Sequence, residues 1–84
     1  MKVRKKPVVL NCEQFIPGKI LEEEFMKEAV VSGKIWSGEQ GLYIDTLEGV
    51  MLCRPYGYIM QGVRGELYPC EESIFDETYE VIEE

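Results

Sequence analysis

The chain has 84 residues, 45% of them apolar and 30% charged, with 16 acids against 9 bases and a net charge of −7. That length fits a single domain, 1–84, with a thin core, and aromatic and β-branched residues throughout the chain exclude a disordered acidic tail. The acidic balance argues against direct binding to a phosphate backbone, which leaves plain solubility or an acidic face that mimics nucleic acid.

Met1 to Lys6 is a basic arm carrying Lys2, Arg4, Lys5 and Lys6. Val8 to Phe15 reads as a strand, with Val8, Leu10 and Cys12 on the face expected to be buried, because Asn11 and Glu13 lie on the other. Ile16-Pro17-Gly18 is a break. The spacing of Leu21, Phe25 and Ala29, with Met26 and Val30 beside them, predicts an amphipathic helix over Lys19–Val31. Glu22, Glu23, Glu24, Lys27 and Glu28 cover its outer side, with Glu23 and Lys27 at ion-pair spacing. Ser32-Gly33 supplies a C-terminal stop.

Lys34 to Ser37 reads as a short strand or an extended connection, and Ser37 to Gly41 as a loop. Trp36 fits a core or hinge position better than a ligand platform. Leu42–Leu47 and Val50–Arg54 flank Glu48-Gly49 as a hairpin. Pro55-Tyr56-Gly57 redirects the chain. Tyr58–Gln61 and Glu66–Tyr68 make a second hairpin around Gly62–Gly65, ended by Pro69. Cys70–Asp76 predicts one helical turn with Ile74 and Phe75 inward, Tyr79–Ile82 a closing strand, and Glu83-Glu84 a frayed end. The expected fold is α+β, a small curled and mainly antiparallel sheet of five or six short strands with one amphipathic helix and one extra helical turn.

There is no histidine, and Cys12, Cys53 and Cys70 are too widely spaced for a CxxC pair. Neither a metal site, a disulfide framework nor a cofactor is expected, and reduced thiols fit the cytoplasm. The basic start passes into Pro7-Val8-Val9-Leu10 and then Asn11, so no signal peptide is expected, and no run reaches membrane-spanning length.

Without histidine the usual general base and the serine and cysteine catalytic sets are missing, so no catalytic residue is assigned and the expectation is a protein that is not an enzyme. The one constellation with ligand chemistry is the Gly62–Gly65 turn. Glycines at Gly62 and Gly65 expose backbone N–H groups, and Arg64 adds a fork for phosphate or carboxylate. Tyr58 and Tyr68 offer rings on which a base stacks, Tyr56 lies nearby, and Arg54 is a second cation. A plain four-residue hairpin turn accounts for the same glycines without a ligand. Cys53 and Cys70 read as small core residues.

MKVRKKPVVL, LYIDTLEG and above all YIMQGVRGELYPCEESIFDETYEV resemble a widespread family of small proteins encoded by tailed bacteriophages and prophages. The likeness covers nearly the whole chain and is strongest from Tyr58 to Glu80. Two positions depart from it. Pro55-Tyr56-Gly57-Tyr58 stands where the family usually has Pro-Gly-Asp-Tyr, and Cys12 where it usually has alanine or another small residue. The resemblance implies a phage accessory protein in the host cytoplasm. By analogy with other small acidic phage proteins, it implies an antagonist of host machinery or host defence, some of which are oligomeric sponges for nucleotide immune signals.

The leading expectation is a homo-oligomeric binding protein that sequesters a small nucleotide through Arg64, Tyr68, Tyr58, Arg54, Gly62 and Gly65. The alternatives are an inhibitor or acidic mimic that docks on a host protein through the Glu22–Glu28 face, a virion or packaging accessory, and, last, a carboxylate hydrolase.

Overall fold

The computed structural model describes residues 1–82; Glu83 and Glu84, expected to fray, lie outside the described residues. The elements in order are β1 (Asn11–Gln14), α1 (Glu24–Val31), β2 (Ile35–Gly38), β3 (Gly41–Thr46), β4 (Gly49–Cys53), β5 (Tyr58–Gln61), β6 (Leu67–Cys70) and α2 (Glu72–Thr78). The α+β class holds. The six strands fall into two antiparallel three-stranded sheets, ordered β1-β5-β6 and β2-β3-β4. Within each sheet, hairpin partners are neighbours in sequence, except that β1 returns to pair with β5 through Cys12↔Met60 and Gln14↔Tyr58.

The main core lies between the sheets. Ile35, Leu42, Ile44 and Cys53 come from one and Ile59 and Leu67 from the other, with Met26 and Ala29 of α1 closing the side. Strand alternation explains the selection. Leu42 pairs with Cys53 and Ile35 with Ile44, so all four share one face of their sheet. Met60 and Phe75, both buried, sit on the opposite face of β1-β5-β6, beneath α2.

Several boundaries differ from those predicted. The first strand shrinks to Asn11–Gln14, and Val8 is exposed. Both of its faces are covered in part: Phe15, on the side of Asn11 and Glu13, packs on the main core, and Cys12 is half-buried beside Met60 on the other, while Asn11 is exposed. Glu13 misled the pattern because its carboxylate has a structural task. It accepts the amide N–H groups of Glu22 (2.9 Å) and Glu23 (2.8 Å), just ahead of α1. The helix therefore starts at Glu24, five residues later than predicted, with Glu23 extended at its cap (φ −74°, ψ 136°). In consequence Glu23 and Lys27 do not form an i, i+4 pair, and Lys19 pairs with Glu22 instead (2.7 Å). Val30 is exposed, and Met26 takes the place expected for Phe25 at the centre of the buried row.

The predicted stop is confirmed. Gly33 has φ 81°, its N–H bonds to the Val30 carbonyl, and the Lys34 N–H reaches back to Ala29, a paired closure that needs a left-handed residue after the helix. The first hairpin turns at Leu47-Glu48 rather than Glu48-Gly49, because Thr46 pairs with Gly49 and its hydroxyl donates to the Gly49 carbonyl (2.6 Å). Ser37 and Gly38 belong to β2, leaving Glu39-Gln40 as the turn into β3. Pro69 does not end its strand. It pairs with Ile59 on β6, an edge strand, where its missing donor faces away from the ladder. In the second helix Phe75 is buried, whereas Ile74 is exposed. Residues 79–82 form no strand. Tyr79 caps α2 in extended conformation, its N–H on the Phe75 carbonyl, and Val81 and Ile82 are exposed.

Candidate functional site

The Gly62–Gly65 turn joins β5 to β6 and is built as an anion site whose anion is already present. Gly62 N–H bonds to the Glu66 carbonyl (2.8 Å) and Gly65 N–H to the Gly62 carbonyl (2.9 Å). The Arg64 N–H donates to the Glu66 carboxylate (2.9 Å). That carboxylate folds back over Gly62, so closely that a side chain there would collide with it. The backbone donors that suggested a phosphate cradle are thus engaged within the turn, those of Gly62 and Gly65 by main-chain carbonyls and that of Arg64 by the chain's own acid. Glu66 was missed because a glutamate following a glycine turn carries no ligand signal in sequence. Its role depends on the turn returning its side chain to the amide two residues earlier. Arg64 is exposed at the tip.

Tyr58 and Tyr68 lie on one face of β1-β5-β6, the face covered by α2. Register sets this, since Tyr58 pairs with Cys70 and Tyr68 with Met60. Tyr58 stacks flat on Phe75, with centroids 3.6 Å apart and an angle of 6°. Phe75 in turn stacks on Tyr79 at 5.3 Å. Burial, and then its hydrogen bond with Tyr79, push the Tyr68 phenol up to about 12. Both tyrosines therefore serve first as the floor under α2.

Arg54 is elsewhere. It follows β4 at the Tyr58 end of β5, whereas Arg64 lies beyond the Gln61 end, so the four residues of β5, roughly 13 Å of strand, separate their positions. The structure brings Tyr58 and Tyr68 onto one face and Gly62, Arg64 and Gly65 into one turn, but it does not gather the six around one pocket. Arg54 lines a different feature, a cleft of about 300 Å³ between the end of β4 and the β6–α2 junction. Pro55, Pro69, Cys53 and Cys70 line it too, and Glu71 and Glu72 place two carboxylates beside the one cation. Burial raises both thiols, Cys53 to about 11, so neither is a ready nucleophile at neutral pH. A larger groove of about 670 Å³ runs between residues 7–12 and 78–82, over Met60 and Phe75. Glu23 and Glu80 line it without a cation.

Arg54 also opens a strained turn. The Gly57 N–H bonds to the Arg54 carbonyl (3.0 Å), and Pro55 and Tyr56 are the central residues. Tyr56 has φ 71°, the one positive value on a non-glycine among the described residues. This is the third position of a type II turn, where glycine is ordinarily required.

The outer face of β2-β3-β4 carries a feature that the sequence reading placed in the core or at a hinge. Trp36, Tyr43 and Leu52 form one cross-strand row. Trp36 is 43% exposed and stacks beside Tyr43, with centroids 6.1 Å apart and an angle of 17°. Gly38 makes room for the Tyr43 ring, which occupies the space a side chain at 38 would need. Strand alternation, applied to the residues following and preceding Trp36, could have placed its ring outward once Ile35 was assigned inward.

Among the described residues no group of three His, Cys, Asp or Glu side chains is placed to hold a metal ion, and no helix is long and apolar enough to cross a membrane. In comparisons with known proteins, no family model matches the chain, and no curated protein or solved structure matches it.

Proposed function

We propose that this chain is a non-enzymatic binding protein of the phage kind its sequence resembles, acting in the host cytoplasm and antagonising a host factor by direct contact between proteins. The observation that supports this reading is the outward row of Trp36, Tyr43 and Leu52 on β2-β3-β4. Rigid aromatic rings, half exposed on a sheet, are the side chains that anchor protein interfaces. Glu24 and Glu28, exposed on α1, are a separate acidic surface. Trp36 is the chain's one tryptophan, so its emission reports directly on this face. The test is retention of host polypeptides on the immobilised protein during infection, with wild type compared against Trp36→Lys and against the pair Glu24→Lys, Glu28→Lys. Loss of one defined host protein with Trp36→Lys, and a blue shift of Trp36 emission when that protein is added back, support the reading. Equal retention by all three proteins refutes it.

A second reading is sequestration of a small nucleotide immune signal, and the cleft beside Arg54 is what favours it. Its volume of about 300 Å³ reaches the small-ligand range, and Arg54 is placed to meet a phosphate. In this form the ligand sits against Arg54 rather than in the Arg64 turn. Native mass spectrometry of protein purified from signal-producing cells distinguishes the two readings. A bound mass of a few hundred daltons, lost in Arg54→Ala and kept in Arg64→Ala, selects the nucleotide; a bare protein removes it.

A further inference from the structure

An antiparallel sheet with open ends must manage the unpaired main-chain groups at each edge. Three of the four edges here are managed. Strand β6 carries Pro69, β1 carries Asn11 and Glu13, and β2 is packed by α1 and ends at Gly38. The fourth, β4, is Gly49-Val50-Met51-Leu52-Cys53, with no charge and no proline; its one hydrogen-bonded neighbour is β3, and β6 of the other sheet packs near it without covering its outer main-chain groups by pairing. Val50 is 58% exposed and Met51 39%.

The hydrogen-bond phase of this edge can be read from its neighbour. Asp45 N–H points away from β4, to the Lys34 carbonyl (2.9 Å). Alternation then directs Leu42, Ile44 and Thr46 toward β4, where their partners are Cys53, Met51 and Gly49. The N–H and C=O groups of Val50 and Leu52 are left facing outward.

We propose that the β4 edge is the site where a second copy of this chain adds, antiparallel, about a two-fold axis through Met51, joining two copies of β2-β3-β4 into one continuous sheet. Such an axis places Val50 opposite Leu52 of the second copy, and the outward groups of both residues then pair. The same register sets Gly49 against Cys53 and, beyond them, Glu48 against Arg54. Glu48 and Arg54 are both exposed. Two chains of net charge −7 repel each other over most of their surfaces. At this edge they meet through an uncharged strand flanked at each end by one acid facing one base. The contact is isologous and closes on itself, so it yields a dimer and not a fibre. It is independent of the host-protein reading, but it shares Arg54 with the nucleotide reading.

The test uses the full chain. Sedimentation over a concentration series should give a species of twice the 9.7 kDa of one chain, and residue-resolved amide exchange should show Val50 and Leu52 gaining protection as the dimer forms. Val50→Lys, and Glu48→Arg alone, should return the mass to that of one chain. Glu48→Arg combined with Arg54→Glu should restore the dimer, a rescue that a folding defect would not produce. Val31→Lys, at an exposed apolar position on α1, should leave it intact. A wild type that is monomeric throughout the series overturns the proposal. So does a dimer in which Val50 and Leu52 amides exchange freely, or one that persists in Val50→Lys.

Discussion

Replacing Tyr56 with glycine should make this protein more stable, although it removes an aromatic ring. Tyr56 is held at φ 71° in the turn closed by Gly57 N–H on the Arg54 carbonyl. An L-residue in that region costs about 1–2 kcal/mol, because Cβ crowds the following carbonyl oxygen. Glycine avoids that cost but loses about 0.5–1 kcal/mol through its freer unfolded chain. The hydrogen bonds that fix the turn use the main chain of residue 56. Its N–H donates to the Phe15 carbonyl (2.7 Å), and its carbonyl accepts from the Gln14 side chain (3.0 Å). Glycine keeps both. Tyr56 is 51% exposed, so its loss removes less packing than that of a core ring. The net expectation is a gain of about 0.5–1 kcal/mol. For a domain of this size that raises the thermal midpoint by roughly 4 °C and the urea midpoint by about 0.5 M, with the denaturant slope unchanged.

The assay is urea unfolding followed by far-ultraviolet circular dichroism and by Trp36 fluorescence, for wild type, Tyr56→Gly, Tyr56→Asn and Tyr56→Ala. Asparagine tolerates the left-handed region better than most residues, so Tyr56→Asn should fall between wild type and Tyr56→Gly. Tyr56→Ala should show no gain, since alanine carries the same Cβ. If Tyr56→Gly is no more stable than wild type, or if alanine and glycine behave alike, the strain argument fails and the tyrosine ring itself holds the corner.

Three further outcomes follow from the two internal anion sites and the buried thiol. Glu13→Ala should destabilise the fold by about 1–3 kcal/mol, the range for hydrogen bonds to a charged group, and should speed amide exchange at Glu22 and Glu23. Glu66→Ala should leave the Arg64 N–H without its acceptor, cost about 1 kcal/mol, and broaden the Gly62–Gly65 amide signals while the β5–β6 pairing persists. Burial raises Cys53 from 9.0 to about 11, so the unfolded chain releases this proton first and the folded chain holds it. The associated stability is complete below pH 9 and is lost as pH rises toward 11, so denaturant midpoints should fall across that window, less steeply in Cys53→Ala.

What the sequence made legible was whatever is local. The helix stop at Gly33, the break at Pro55–Gly57 and the glycine turn at Gly62–Gly65 each follow from residues within four positions of one another, and all three stand. The positive φ at Tyr56 that strains the Pro55–Gly57 corner is visible only in the fold. What failed depended on distant partners. In Val8–Phe15, Glu13 has the look of a solvent residue, whereas its carboxylate holds the Glu22 and Glu23 amides ahead of a helix that starts eleven residues later. Tyr79–Ile82 alternates like a strand, but Tyr79 lies one turn after Phe75 and follows it onto the α2 face. Trp36 fits a core or hinge position in sequence, whereas register with Tyr43 and Leu52 turns it out.

The ligand site that the sequence suggested and the caps that the structure reveals are the same physics seen at different range. A turn that exposes N–H groups, or the first turn of a helix, attracts a negative charge whether the charge belongs to a ligand or to the chain. In this protein the Arg64 amide of the hairpin receives Glu66, and the Glu22 and Glu23 amides, in the segment just ahead of α1, receive Glu13. An external phosphate at the Gly62–Gly65 turn would have to displace Glu66 from the Arg64 amide and then lie beside the displaced carboxylate, and a net charge of −7 adds to that opposition. The sequence pattern of glycine, arginine and glycine followed by glutamate therefore reads more economically as a hairpin that carries its own anion. Binding chemistry shifts from this turn to the surfaces where the chain's acids are absent, the Trp36–Tyr43 row and the uncharged β4 edge, and to the Arg54 cleft, where one cation faces two carboxylates.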